Sequence, residues 1–177
     1  MHELAITAIG ADRPGVVAAV TGVLADLEGN LEDSSMTILG GRFAMVLIVA
    51  VPDHLDADQV QAALDEPASA LGLDVAVHPS ASGSAAAAGD PWSVTVYGAD
   101  RPGIVHRFAT ALADAGANIT DLSTRVIGDP SRPVYAMLLE VSVPVDVDPH
   151  GVQSDLTAVA VELGVECSMH PADTDIL

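Results

Sequence analysis

Alternating apolar residues open the chain and recur near its middle. A period of two residues predicts a half-buried β-strand. The residues on one face are Leu4, Ile6 and Ala8 in the first stretch, and Trp92, Val94 and Val96 in the second. Each strand is followed by apolar residues at helical spacing, which predicts a helix with one buried stripe. These residues are Val16, Val20, Leu24 and Leu27 in the first case, and Ile104, Phe108 and Leu112 in the second.

The remaining elements are also predicted twice, in the same order. A second strand begins at Asn30 or Asn118, a third covers 43–51 or 135–143, and a last covers 73–78 or 165–170. Gly40-Gly41 is a strong signal for a hairpin turn, and 128–133 is a longer turn in the second copy. A second helix is indicated by Val60 and Leu64, and by Val152, Leu156, Val159 and Leu163. The order is βαββαβ twice.

An internal repeat explains this duplication. The hexamer GADRPG occupies 10–15 and returns 88 positions later at 98–103, and matches continue on both sides of it. After four extra residues in the second copy the offset becomes 92. We therefore predict one domain over 1–79 and a second over 91–172, joined by a Ser/Ala/Gly-rich linker at 80–90 and followed by a tail at 173–177.

Each copy fits an α+β, ferredoxin-like plan, in which two helices cover one face of a four-stranded antiparallel sheet. Val46, Ile48 and Ala50 would then line the other face of the first sheet, and Leu138, Glu140 and Ser142 that of the second. An apolar sheet face of this size predicts packing against another domain or another subunit, and we expect a homo-oligomer. Pro67 lies inside a predicted helix and should break or kink it near Glu66.

The hexamer joins a strand to a helix in each copy. On structural grounds alone it is a capped turn, in which Asp12 accepts a hydrogen bond from the Gly15 amide and the proline occupies the first helical turn. A helix N-terminus also attracts anions such as a carboxylate. Asn30 and Asn118 open the next strand, which we place near the same end of the sheet. An amide can bind both an ammonium and a carboxylate, so the alternative to a plain turn is a pocket for a free amino acid.

Composition narrows the function. The net charge of -19 provides no basic surface for nucleic acid and favours solubility. No apolar run or basic leader indicates a membrane span or a signal peptide, so we expect a cytoplasmic protein.

Single Cys167 excludes an internal disulfide, and the six histidines lack metal-site spacing. His106 lies three residues after the second hexamer, where a place on the helix surface is the alternative to ligand contact. No catalytic motif or cofactor fingerprint is present.

The βαββαβ order, the Asp-Arg-Pro-Gly turn and the stretch from Gly116 to Leu122 together resemble ACT domains, which are regulatory modules for small molecules, commonly amino acids. Two such domains without a catalytic part resemble the glycine cleavage system transcriptional repressor family. The resemblance implies an effector between two domains, at the loop after the first strand and the start of the second. The positions that match are Asp12, Arg13, Gly15, Val16, Asn30 and Leu31, and Asp100, Arg101, Gly103, Ile104, Asn118 and Ile119.

The resemblance implies a non-catalytic regulator that binds an amino acid and controls transcription of amino-acid (glycine) metabolism through a protein partner. The alternative is a ligand-free oligomerisation module that regulates a metabolic enzyme in trans. Enzymes with ACT domains, such as formyltetrahydrofolate hydrolase and phosphoserine phosphatase, have a catalytic part that has no counterpart here. Glu28 and Glu32 flank Asn30 and depart from the family pattern, which favours the second copy as the binding site.

Overall fold

A computed structural model describes residues 1–80, 89–128 and 133–172. The chain divides into two compact units, Met1–Ser84 and Ala85–Leu177. Within the described residues, each unit has the predicted order βαββαβ. The first contains β1 (His2–Ala11), α1 (Val16–Asp26), β2 (Asn30–Leu39), β3 (Arg42–Val51), α2 (Ala57–Leu71) and β4 (Leu73–Pro79). The second contains β5 (Gly89–Gly98), α3 (Ile104–Asp114), β6 (Asn118–Ile127), β7 (Val134–Pro144), α4 (Pro149–Leu163) and β8 (Val165–Pro171).

Each unit has one four-stranded sheet in which all paired strands are antiparallel. The strand orders are β2-β3-β1-β4 and β6-β7-β5-β8, so the second and last strands of each repeat are the edges. A β-bulge shifts the register between Leu31 and Asp33 in the first repeat. The same irregularity lies between Ile119 and Asp121 in the second. This agreement in detail confirms the duplication and the ferredoxin-like α+β fold.

The core of each unit lies between one face of the sheet and the two helices. Because side chains alternate across a strand, every second residue of the central strands is buried. In the first unit the helix stripe packs against them, and the residues involved include Leu4, Ile6, Leu47, Val16, Val20 and Leu64. The second core is built in the same way and includes Val94, Val96, Leu139, Ile104, Phe108 and Leu156.

The opposite face of each sheet has no helix over it within its own unit. In the first unit the side chains of Ile9 and Val46 are 53% and 48% exposed. In the second unit the side chains of Tyr97 and Leu138 are 47% and 40% exposed. Val46 is therefore exposed on the open face of the first sheet, as the sequence predicts, whereas Ala50, which we placed on the same face, is only 7% exposed. The burial of that face by another subunit stays a prediction.

The structure corrects the expected effect of Pro67 and one end of the linker. Helix α2 continues through Pro67 without a break, from Ala57 to Leu71. Gly89 and Asp90, which we assigned to the linker, are the first residues of β5. The rest of the linker from residue 81, the middle of the turn after Gly128 and the tail at 173–177 lie outside the described residues.

Candidate ligand-binding site

The first hexamer carries the chain from β1 into α1. Gly10 still belongs to β1, Asp12 and Arg13 form the connection, and Gly15 is the N-cap of α1. The Asp12 amide donates a hydrogen bond to the Gly41 carbonyl at 3.2 Å. The connection is therefore attached to the hairpin between β2 and β3, and it lies at that end of the sheet.

The two glycines of each hexamer are required for different reasons. A Cβ atom at Gly10 would lie 2.7 Å from Leu73 Cδ2, and one at Gly98 would lie 2.6 Å from Val165 Cγ1. The first glycine thus allows the last strand of the repeat to pass close by. Gly15 and Gly103 instead have φ angles of 93° and 91°, in the left-handed region that favours glycine.

The capping role predicted for Asp12 is wrong. Gly15 and Gly103 are themselves the N-cap residues, and no side chain caps either helix. Pro14 precedes the N-cap and lies outside the helical turn that we assigned to it. The first amides of an α-helix have no intrahelical acceptor. The N-cap residues of α1 and α3 therefore provide no side-chain acceptor for these amides.

The predicted closeness of each asparagine to its own hexamer is also wrong. Asn30 pairs with Ala50, which pairs with Glu3 near the start of β1. Gly10 pairs with Phe43, seven residues further along the sheet. At roughly 3.4 Å per residue, the two features lie about 24 Å apart, at opposite ends of the sheet. Asn118 is placed in the same way, because it pairs with Ser142 beside Pro91.

An open cleft of about 420 Å³ adjoins the first hexamer. Asp12, Arg13 and the first residues of α1 form one side of it, and Met36 and Phe43 form the other. Both charged side chains are exposed, and neither makes an ion pair with another described residue. The cleft therefore presents an unpaired carboxylate and an unpaired guanidinium beside an apolar surface.

The second hexamer has different surroundings. The Arg101 guanidinium donates a hydrogen bond to the carbonyl of Leu163 at 2.9 Å, at the C-terminal end of α4. Tyr135 takes the place of Phe43 and Thr124 takes the place of Met36, so two hydroxyl groups replace two apolar side chains. The pKa of Tyr135 is raised above its usual value, mainly by burial and to a smaller extent by the nearby negative charge of Asp100. The second loop thus lies against polar side chains of its own repeat.

The other predicted positions divide between core and surface. Val16 and Ile104 are each only 2% exposed, so their side chains belong to the core and only their backbone faces the loop. Leu31 is exposed, whereas Ile119 is partly buried against the second core. The sequence reasoning missed Met36 and Phe43, which line the cleft. The hairpin signal at Gly40-Gly41 could have located them, since it places both beside the end of β1.

Other chemistry is sparse in the described ranges. Within them, no three histidine, cysteine or acidic side chains converge as metal ligands. Cys167 packs at the margin of the second core, and burial raises the pKa of its thiol to about 11. No helix in the part of the chain described is both long and apolar enough to cross a bilayer.

Comparison with known families agrees with this architecture. The ACT domain model matches residues 2–78 and again residues 93–170. The chain belongs to the ACT domain family. It is similar to the glycine cleavage system transcriptional repressor of Escherichia coli, at 29% identity over 96% of this chain and 90% of that protein. The UPF0237 protein of Methanopyrus kandleri is 40% identical over 44% of this chain and 87% of its own length.

A solved structure extends the likeness to the whole ACT pair. The crystal structure of a protein from Galdieria sulphuraria matches with a TM-score of 0.84 and 27% identity. The match covers 97% of this chain and 99% of that one. The likeness therefore extends over both domains of this chain. By sequence, the chain is related to a transcriptional repressor.

Proposed function

We propose that this ACT domain protein is a non-catalytic regulator that binds a free amino acid at the hexamer loop. The observation that carries the proposal is the cleft of the first repeat, which places unpaired Asp12 and Arg13 beside the N-terminus of α1. A free amino acid has an ammonium and a carboxylate on one carbon. Asp12 can bind the ammonium, while Arg13 and the first amides of α1 can bind the carboxylate.

A second copy of the chain completes the proposed site. An asparagine cannot reach the hexamer of its own repeat, because about 24 Å of sheet separates them. However, β2 is an edge strand that has Asn30 at one end and the hexamer beside its other end. Antiparallel pairing of the β2 edges of two copies would bring the asparagine of one copy to the hexamer of the other. The proposal therefore includes a homo-oligomer whose interface contains the ligand.

Regulation follows if the ligand favours one assembly over another, since a ligand shifts an equilibrium only through its differential affinity. The likeness to the Escherichia coli glycine cleavage system transcriptional repressor supports an output on the transcription of amino-acid metabolism. A net charge of -19 opposes direct contact with DNA, so we propose that a protein partner in the cytoplasm carries the output.

A second candidate function is an interaction module without a ligand, which regulates an enzyme in trans. The exposed apolar side chains of Ile9 and Val46 on the open sheet face favour it. In that case no amino acid would stabilise the protein, and its assembly would not depend on amino acids.

A thermal-shift screen with the standard amino acids at millimolar concentration distinguishes the two functions. We expect at least one amino acid to raise the melting temperature in a saturable way, because a ligand stabilises according to its concentration relative to Kd. Asn30→Ala should reduce this shift, because the asparagine of a second copy completes the proposed site, and Asn118→Ala is the matched control. Both side chains are exposed at strand ends, so neither change should unfold the protein. If no amino acid shifts the wild-type protein, the ligand-binding proposal is lost.

A further inference from the structure

We infer that the two hexamers have diverged in role, so that the first repeat holds the binding site and selects amino acids with an apolar side chain. This inference rests on the proposed function and makes it more specific. It reverses the expectation from Glu28 and Glu32 that the second copy is the binding site, because the cleft and the unpaired arginine belong to the first. It arises from differences between equivalent residues in two repeats that otherwise share strand order, register and even the position of a bulge.

The first difference is the use of the arginine. Arg101 donates to the Leu163 carbonyl, and a Cβ atom added to Gly164 would lie 3.5 Å from its guanidinium. The equivalent glycine of the first repeat is Gly72, where an added Cβ atom would meet nothing within 4 Å. Arg13 therefore does not cover the end of α2, and its guanidinium is available to a carboxylate.

The second difference is the surface beneath the hexamer. In the first repeat it consists of Met36 and Phe43, which offer no hydrogen-bonding group except their backbone. In the second repeat the equivalent positions are Thr124 and Tyr135, and each of them carries a hydroxyl group. A polar ligand side chain above Met36 and Phe43 would lose water without gaining a partner, whereas an apolar one would gain from burial.

Together these differences define the ligand class. The α-carboxylate lies at Arg13 and the α-ammonium at Asp12, which leaves the side chain over Met36 and Val17, with the buried ring of Phe43 beneath them. Met36 and Val17 are 51% and 42% exposed, so ligand contact would bury apolar surface that is now in water. Leucine, isoleucine and methionine fit this description. Glycine, serine and aspartate lack the apolar side chain that this surface favours.

Isothermal titration calorimetry of the full chain with leucine and with serine tests the inference. We expect leucine to bind at least about tenfold more tightly than serine, as a well-placed methylene group alone discriminates by this amount. Met36→Thr gives the first repeat the residue of the second and should remove most of that preference. Because Met36 is half exposed, this variant is expected to fold normally.

Thr124→Met is the matched control and should leave both affinities unchanged, since it lies beneath the other hexamer. Arg13→Ala should weaken binding of leucine and serine alike by about tenfold, in line with loss of a charged hydrogen bond. Arg101→Ala should lower the melting temperature without changing either affinity. Circular dichroism establishes that each variant is folded.

The outcomes separate the two proposals. If wild-type protein binds neither leucine nor any other amino acid, the proposed function itself fails. If an amino acid binds but Arg101→Ala abolishes binding and Arg13→Ala does not, the site lies in the second repeat and only this inference is overturned. Tighter binding of serine than leucine, or a leucine preference that survives Met36→Thr, overturns the apolar selectivity.

Discussion

A glutamate occupies a left-handed backbone conformation in the turn between α1 and β2. Glu28 has a φ angle of 58°, and it is the one non-glycine residue with positive φ in the described residues. The equivalent position of the second repeat is Gly116, with a φ angle of 74°. The backbone therefore follows one path in both repeats, although only the second has the residue that adopts it without strain.

Glu28→Gly should raise the free energy of unfolding by about 0.5–1 kcal/mol. Removing the side chain relieves a left-handed strain of about 1–2 kcal/mol, which the greater freedom of glycine in the unfolded chain partly offsets. Urea denaturation followed by circular dichroism measures the change.

Gly116→Ala is the reciprocal variant. An added Cβ atom at Gly116 would lie 4.0 Å from Pro144 Cγ, so space is available and the backbone alone accounts for any loss. We expect a loss of about 1 kcal/mol. A stabilising Gly116→Ala, or a destabilising Glu28→Gly, would contradict the assignment of strain to this turn.

At the scale of the element, the helices begin in two different ways. Helix α2 has a complete capping box, in which Asp56 accepts from the Gln59 amide at 2.8 Å and the Gln59 side chain accepts from the Asp56 amide at 2.9 Å. The N-cap of α1 is Gly15, which provides no side-chain cap. The acidic residue before α2 therefore stabilises its helix, whereas the one before α1 is free for another role.

Asp56→Ala should lower the free energy of unfolding by about 1 kcal/mol, as loss of an N-cap usually does. Asp12→Ala should change it by less than about 0.5 kcal/mol, as is usual for a surface substitution away from a cap. Thermal or urea denaturation compares the two variants directly. An equal loss for both would mean that Asp12 is structural, and it would then weaken the case for Asp12 as the ammonium ligand.

Most elements could be predicted from periodicity, because the helices and the central strands each have one buried face, whereas every residue of the edge strand β2 is exposed. The third strand, predicted over 43–51, is observed as Arg42–Val51. The placement of Asn30 could not be found in this way, because periodicity gives an element but not its direction. Helix α1 runs back along the sheet for about 16 Å, so β2 starts at the end of the sheet where β1 starts. The different hydrogen bonding of Arg13 and Arg101 could not be predicted either, because the two hexamers have the same sequence.

At the scale of the whole molecule, like charges dominate. The sequence has 25 acidic residues against 6 basic ones, and all the basic ones are arginines. Among the described residues, the ion pairs join Arg107 to Glu162, and Asp53 to the Met1 ammonium and His2. Most acidic side chains in the described residues thus have no cationic partner, and self-repulsion in a chain of this net charge destabilises a compact state.

Salt should therefore stabilise the protein. We expect the melting temperature to rise between about 20 mM and about 0.5 M sodium chloride and then to level off, because the Debye length falls towards about 3 Å at 1 M. Sodium sulfate at equal ionic strength is the control, since screening depends on ionic strength whereas exclusion of sulfate from the protein surface adds further stabilisation. If the melting temperature rises with sodium sulfate and not with sodium chloride, the stabilisation comes from exclusion of sulfate from the protein surface and not from screening of charges. A fall in melting temperature with sodium chloride would mean that favourable ion pairs outweigh repulsion in this chain.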